Sequence, residues 1–292
     1  MTDFIKYVED EYRDYRSYSE LAKMEKNGGR KTVLEKLAEM EYQHYRFWNQ
    51  YVDSYKPKTS TFFIRLLVVA RIFLGLTFTI KLLERHEMET IKSYREFASS
   101  LHGEEKERVE NIILEELEHE KTLMAQIDEA VVRHLGFVAL GLADAIIEIT
   151  GVHAGFLGVT SSTIIAGIAG LVVGFAAAIS MASAAYLQAK HGGSEKPAES
   201  AVVTGGAYLL TVTALAIPYF IIADMLLAFA FSVGLAVITM AVFTAYGAVI
   251  SEKAFLKEFV ISITLILGTA LATFLFGDFL GTVFGIKHYR FF

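Results

Sequence analysis

The sequence predicts an all-α chain in two parts, a soluble four-helix bundle followed by a five-helix transmembrane domain. Three observations predict it. Charge is unevenly placed: of 60 Lys, Arg, Asp and Glu residues, only 14 follow residue 135. Long uncharged stretches fill the second part, since residues 149–189, 200–223, 225–251 and 259–277 hold none of the four. The first part carries two Glu-x-x-His motifs inside an internal repeat.

The bundle comes first. Residues 3–27, 31–55, 82–101 and 104–132 are rich in Glu, Lys, Leu, Ala and Tyr, with apolar positions three and four apart, and read as its four helices. Asn27-Gly28-Gly29 closes the first, and Gly103 separates the third from the fourth. The long connection over 56–81 is apolar but interrupted by Arg65, Arg71 and Lys81. As a spanning helix it would bury Arg71 near its middle, which is unfavourable. It reads instead as a basic amphipathic segment lying on the cytoplasmic membrane face or against the transmembrane helices. A crossover packed against a partner subunit is the alternative.

The second part follows without proline or low-complexity linker. The passage HEKTLMAQIDEAVVRHLGFVALGLADA reads as one nearly continuous helix from the bundle into the first span. A span needs about 20 apolar residues, which places five at about 137–158, 163–188, 201–223, 226–250 and 258–280, with a turn around Gly158–Thr163. The domains are therefore 1–132 and 133–292. Lys190 and Lys196 lie in one loop and Lys253 and Lys257 in another. The positive-inside rule puts both loops, and the N-terminus, in the cytoplasm. Lys287 and Arg290 in the C-terminal tail run against that rule. The charged start MTDFIKYVEDEYRDY has no apolar signal core. The expected location is the cytoplasmic (inner) membrane, multi-pass, with the bundle in the cytoplasm.

Composition narrows the chemistry. With no cysteine, disulfides, iron–sulfur clusters, thiolate zinc sites and cysteine nucleophiles are excluded. A net charge of −6 and no domain-wide basic surface argue against nucleic acid as a partner. Any metal must be held by carboxylate, imidazole or thioether.

The repeat supplies the first two. Glu11 is followed by Tyr18 and Ala22, and Glu87 by Tyr94 and Ala98, at identical offsets of seven and four. After each comes a Glu-x-x-His, Glu41/His44 and Glu116/His119. On a helix, residues three apart share a face, so each pair can ligate one inward-facing metal. The set suits Fe(II), Fe(III) or Mn(II). The alternative fate of such glutamates is a solvated helix face.

In the first span, Asp144 and Glu148 are four apart and share a face. Acids at that depth usually line a pathway or pair with one another. Solvation of Asp144 at the cytoplasmic end is the alternative. His153 either extends the path or packs with a hydrogen bond. Met181 lies mid-span in the second, where methionine is ordinarily filler.

The first two spans, GLADAIIEITGVHAG and AAAISMASAAYL, resemble those of the vacuolar iron transporter family. That resemblance implies export of Fe(II) from the cytosol in exchange for protons, past an aspartate and a methionine matched by Asp144 and Met181, at a homodimer interface. Two departures stand out. Ala184-Ala185-Tyr186 replaces the family's Gly-Glu-Tyr, and residues 189–200 are too few for the helical metal-binding domain of plant-type members. The repeat over about 3–132 resembles the rubrerythrin branch of the ferritin-like superfamily. This resemblance implies a di-iron site held by Glu11, Glu41, His44, Glu84, Glu87, Glu116 and His119; Glu9 is a substitute for Glu11. With no cysteine there is no rubredoxin-type iron centre to deliver electrons. The whole chain is similar to membrane-bound ferritins, which fuse the two. Together these imply a transporter for Fe(II), with manganese as an alternative cargo, and a bundle that senses or loads iron. A membrane-anchored ferroxidase or peroxide reductase is the alternative.

Overall fold

A computed structural model describes residues 4–52, 55–58, 60–85, 87–126, 130–193 and 196–286, with backbone alone at 61, 87–88, 119–126 and 130–134. Every regular element among them is helical. The chain divides into two compact units, 1–132 and 133–292.

In the first unit, α1 (Phe4–Met24) pairs with α2 (Gly28–Trp48), which ends in a 3₁₀ turn, Asn49–Tyr51. Next come α3 (Thr61–Leu74), α4 (Leu76–Glu84), α5 (Glu87–Ala98) and α6 (Glu104–Gln126). The repeat lies in the core: Tyr18, Ala22, Tyr94 and Ala98 are all buried. Two apolar layers form. One joins Tyr18, Leu21, Leu34, Leu37 and Ala38 to Leu67, Leu76, Ile80 and Leu83. The other joins Tyr7, Val8 and Trp48 to Ile91, Tyr94, Val109 and Ile113. On α1 and α2, the residues between these layers are the acidic and imidazole positions of the repeat.

Two expectations change, and one contact is new. Asn27-Gly28-Gly29 opens α2 rather than closing α1: the Asn27 side chain accepts from Arg30 N at 3.1 Å, an N-cap. The connection has a contact that the sequence reading did not give it, because one face of α3 and α4 belongs to the bundle core through Leu67, Leu76, Ile80 and Leu83. Arg71 turns inward to Glu25 at 2.9 Å. Gly75, at φ 92°, makes the break between α3 and α4 that a side chain would strain. Finally, the single helix expected over 82–101 is two, so Glu84 ends α4 and Glu87 begins α5.

The second unit holds α7 (Ala130–Val159) from residue 133 onward, then α8 (Thr163–His191), α9 (Pro197–Ile221), α10 (Met225–Ile250) and α11 (Phe255–Val283). Five segments in it are long and apolar enough to cross a membrane: Leu135–Val159, Thr163–His191, Pro197–Ile221, Met225–Ile250 and Phe255–Val283. Large side chains such as Phe175, Leu210, Phe231, Leu256 and Phe276 point outward, as a lipid-facing surface requires. Small residues set the close seams. The α7 backbone at Gly155 lies against Gly277 of α11, and a Cβ on Gly158 would sit 2.7 Å from Phe274 O. Gly158 thus packs, and the turn after α7 falls to Thr160, Ser161 and Ser162, with Ser162 capping α8. Asp224 is explained locally, as it caps α10 by accepting from Leu227 N at 2.8 Å. The expected continuous helix from bundle to span, and the Lys287–Arg290 tail, involve positions outside the described residues.

Candidate metal centre

Between the two apolar layers, four of the sequence-predicted residues converge. One donor atom each from Glu11, Glu41, His44 and Glu116 lies within 4.8 Å of the others, and all four residues are buried. Three helices supply them: α1 gives Glu11, α2 gives Glu41 and His44 on one face, and α6 gives Glu116. His44 Nδ1 is 2.9 Å from Glu116 Oε1, 3.5 Å from Glu11 Oε2 and 3.8 Å from Glu41 Oε2. Despite these oxygens, Nδ1 makes no hydrogen bond. A buried nitrogen left without one, facing three carboxylates, fits a divalent metal ion held by oxygen and imidazole.

The electrostatics agree. Burial and the adjacent Glu116 carboxylate raise Glu41 well above the ordinary carboxylate range. Burial alone would lower His44, but the surrounding carboxylates of Glu11, Glu115, Glu116 and Glu41 outweigh it and hold His44 well above its usual value. Burial and the clustered carboxylates thus favour protons on the groups that would hold a cation, and cation and proton compete. A cavity reaches the cluster past Asp10, Arg13, Asp14 and Thr90. There Arg13 bridges Asp10 at 2.7 Å and Asp14 at 3.2 Å.

Around the cluster stand residues whose roles were not legible in the motif. Glu115 accepts from His44 at Nε2, 2.9 Å away, which fixes the ring with Nδ1 turned inward. Nothing in the sequence distinguishes this glutamate from its neighbours. We expect Glu115→Ala to lower Mn(II) affinity of the bundle by roughly 10–100-fold, as outer-shell losses do, read by calorimetric titration. An unchanged affinity would remove Glu115 from the site. Tyr94 donates its hydroxyl to Glu11, and Tyr18 donates to Glu84 at 3.3 Å. The tyrosines of the repeat therefore cross-link carboxylates between the two halves of the bundle. Burial and the Glu11 charge push the Tyr94 phenol well up, so it stays a donor.

Glu84 is buried beside Tyr18 and lies outside the four-residue group. The side chains of Glu87 and His119 lie outside the described residues. Glu9 does not replace Glu11: it accepts from Tyr55 at 2.7 Å on an exposed surface.

In the second unit, Asp144 and Glu148 are half-buried on α7. Glu148 accepts from the Tyr208 hydroxyl of α9, a partner the sequence reading did not assign. Met181 packs at the edge of the apolar cluster of Ile146, Ile149 and Val212. His153 is fully buried with its ring 4.1 Å from that of Tyr219. Nine residues beyond Asp144 puts it on the opposite side of α7.

Comparison with known proteins bears on the first unit. The model of the rubrerythrin family matches residues 5–127. No curated protein and no solved structure matches the chain. The matched span contains all four clustered residues, and a rubrerythrin-type domain implies a di-iron centre. Residues 5–127 are thus a rubrerythrin-type, ferritin-like domain carrying a buried carboxylate–histidine group able to hold a metal, and five apolar helices follow it.

Proposed function

We propose that this protein is a membrane transporter that exports Fe(II) from the cytosol in exchange for protons, with the bundle binding iron as a sensor or loading site. The observation that carries this reading is the acid pair inside an apolar helix. An anchor needs one span and no carboxylates within it, whereas this chain has five candidate spans with Asp144 and Glu148 in the first. A carboxylate holds a metal or a proton but not readily both, which is a physical basis for exchange. Glu148, oriented by Tyr208, is the proton carrier or additional ligand; Asp144 and Met181 line the ion path. The functional unit is a homodimer in the cytoplasmic membrane with its bundle in the cytosol. Mn(II) satisfies the same donors and is the alternative cargo.

In the bundle, Glu11, Glu41, His44 and Glu116 would hold one part of a di-iron site, completed by Glu84, Glu87 and His119. A bound iron pair supplies redox chemistry toward oxygen or peroxide. The protein's own contribution is to shield the donors between apolar layers and to fix them through Glu115, Tyr94 and Tyr18. The cavity past Asp10 and Asp14 favours a second reading, a membrane-anchored ferroxidase or peroxide reductase.

One experiment separates them. Ferrous-ion flux is measured in proteoliposomes under a pH gradient, for the wild type and Asp144→Ala. We expect flux that follows the gradient and is lost in the variant. No flux in either, with iron still bound by the bundle and oxygen consumed, would transfer the function to the enzyme reading.

A further inference from the structure

Among the described residues, the outward face of α3 is unlike any other surface of the bundle. Phe62, Leu66, Val69 and Phe73 follow one another at helical spacing, and Ile72 lies beside them. These five side chains are between 48 and 80% exposed. Helix periodicity puts them on a single face, opposite the Leu67 side that enters the bundle core. Over a 14-residue helix this stripe runs about 21 Å. A water-facing domain rarely leaves so continuous an apolar surface uncovered.

We propose that this face of α3 is a lipid-binding surface, seated among anionic membrane headgroups. The surrounding charge favours that occupant. Residues 54–83 contain Lys56, Lys58, Arg65, Arg71 and Lys81 and no carboxylate. The two polarities are sorted. Arg71, on the core side, is neutralised by Glu25. Arg65, on the stripe itself, is exposed and has no ion-pair partner among the described residues, and Lys56 and Lys58 stand exposed just before the helix. Apolar side chains framed by free cations, with a phenylalanine near each end, are the composition of a helix lying in a membrane interface.

A second copy of the chain is the competing occupant, and charge disfavours it. A two-fold interface along this stripe would bring the same face of both copies together. Arg65 would then meet a surface that offers it no carboxylate. The same chain, in contrast, offers a bilayer nearby in sequence: the first apolar span begins at Leu135, close to the end of α6 at Gln126. The proposal does not depend on what the spans transport.

The absence of native cysteine makes the test direct. Val69→Cys and Phe73→Cys carry a nitroxide on the full-length chain in nanodiscs of 7:3 phosphatidylcholine to phosphatidylglycerol. Lys36→Cys, exposed on α2, is the water-facing reference. Collision with oxygen and with a water-soluble nickel chelate is compared by electron paramagnetic resonance. For labels at 69 and 73 we expect the oxygen-to-nickel ratio to exceed that at 36 by at least about fivefold, as for a face buried in the interface. Ratios equal to that at 36 would overturn the proposal. So would spin–spin broadening at 69 or 73 that disappears on mixing with unlabelled chain, because a second copy would then cover the face. An unchanged ratio in discs of phosphatidylcholine alone would overturn the requirement for anionic headgroups. Each labelled position is exposed, so none of these outcomes turns on refolding the core.

Discussion

Replacing His44 with alanine is expected to weaken divalent-metal binding by the bundle by more than the roughly 100-fold upper range of outer-shell changes. His44 is the only imidazole in the four-residue group, and its Nδ1 faces all three carboxylates. Removing it deletes a donor and leaves three buried acids to repel one another. Titration of the full-length protein with Mn(II) in detergent measures this, and wild-type affinity in the variant would remove the cluster from metal binding.

The pH dependence has a definite sign. Glu41 and His44 both have raised values in the folded state. A group raised on folding favours the fold while protonated and loses that contribution as pH climbs through the folded value. The metal-free bundle should therefore loosen as pH rises from the ordinary carboxylate range past neutrality. Metal affinity should move the other way, gaining about tenfold per pH unit for each proton displaced. Amide exchange of α2 at pH 6 and 8, corrected for intrinsic rates and run with and without Mn(II), would show protection by metal growing with pH. Protection that shrinks with pH would contradict the assignment.

The second large effect is expected at Gly277→Ala. The new Cβ would lie inside the contact distance of the Gly155 backbone carbonyl, and no rotamer relieves a clash with backbone. The two helices must separate, at the upper end of the roughly 1–3 kcal/mol typical of overpacking. Gly268→Ala on the same helix meets nothing within 4 Å and is the matched control. We expect the first variant to lose its monodisperse fraction in detergent after mild heating while the control keeps it. Because α7 also carries Asp144 and Glu148, flux should fall with the seam.

Much of this architecture was legible because two periods repeat. The Glu–Tyr–Ala offsets mark a helix face, and burial of Tyr18, Ala22, Tyr94 and Ala98 gives that pattern its cause. Uncharged length alone identified the five apolar helices, since burial of backbone in lipid leaves little latitude. The Glu-x-x-His spacing led to the cluster because residues three apart must share a helix face. What stayed hidden depends on partners distant in sequence. Glu115 and Tyr208 are ordinary residues until His44 and Glu148 come to meet them. The core contact of the connection was not legible because its apolar residues serve two environments, with Leu67 turned to the core and Val69 to the outside. Asn27 was assigned to the wrong helix because Asn-Gly-Gly can end one helix or begin the next, and only the hydrogen bond to Arg30 decides.

Trp48 has a practical consequence. It is the only tryptophan in the chain and is wholly buried in the bundle, its ring 4.6 Å from Tyr94, whose hydroxyl is bound to Glu11. The apolar helices contain none. Ultraviolet-excited tryptophan emission from the intact protein therefore originates in the rubrerythrin-type unit alone, one aromatic ring removed from a carboxylate of the cluster. Occupancy of that cluster by a quenching metal ion is expected to lower this emission in a lipid preparation, without dyes, since the apolar helices contribute no tryptophan. A Trp48→Phe chain provides the dark reference against which each copy's loading is counted.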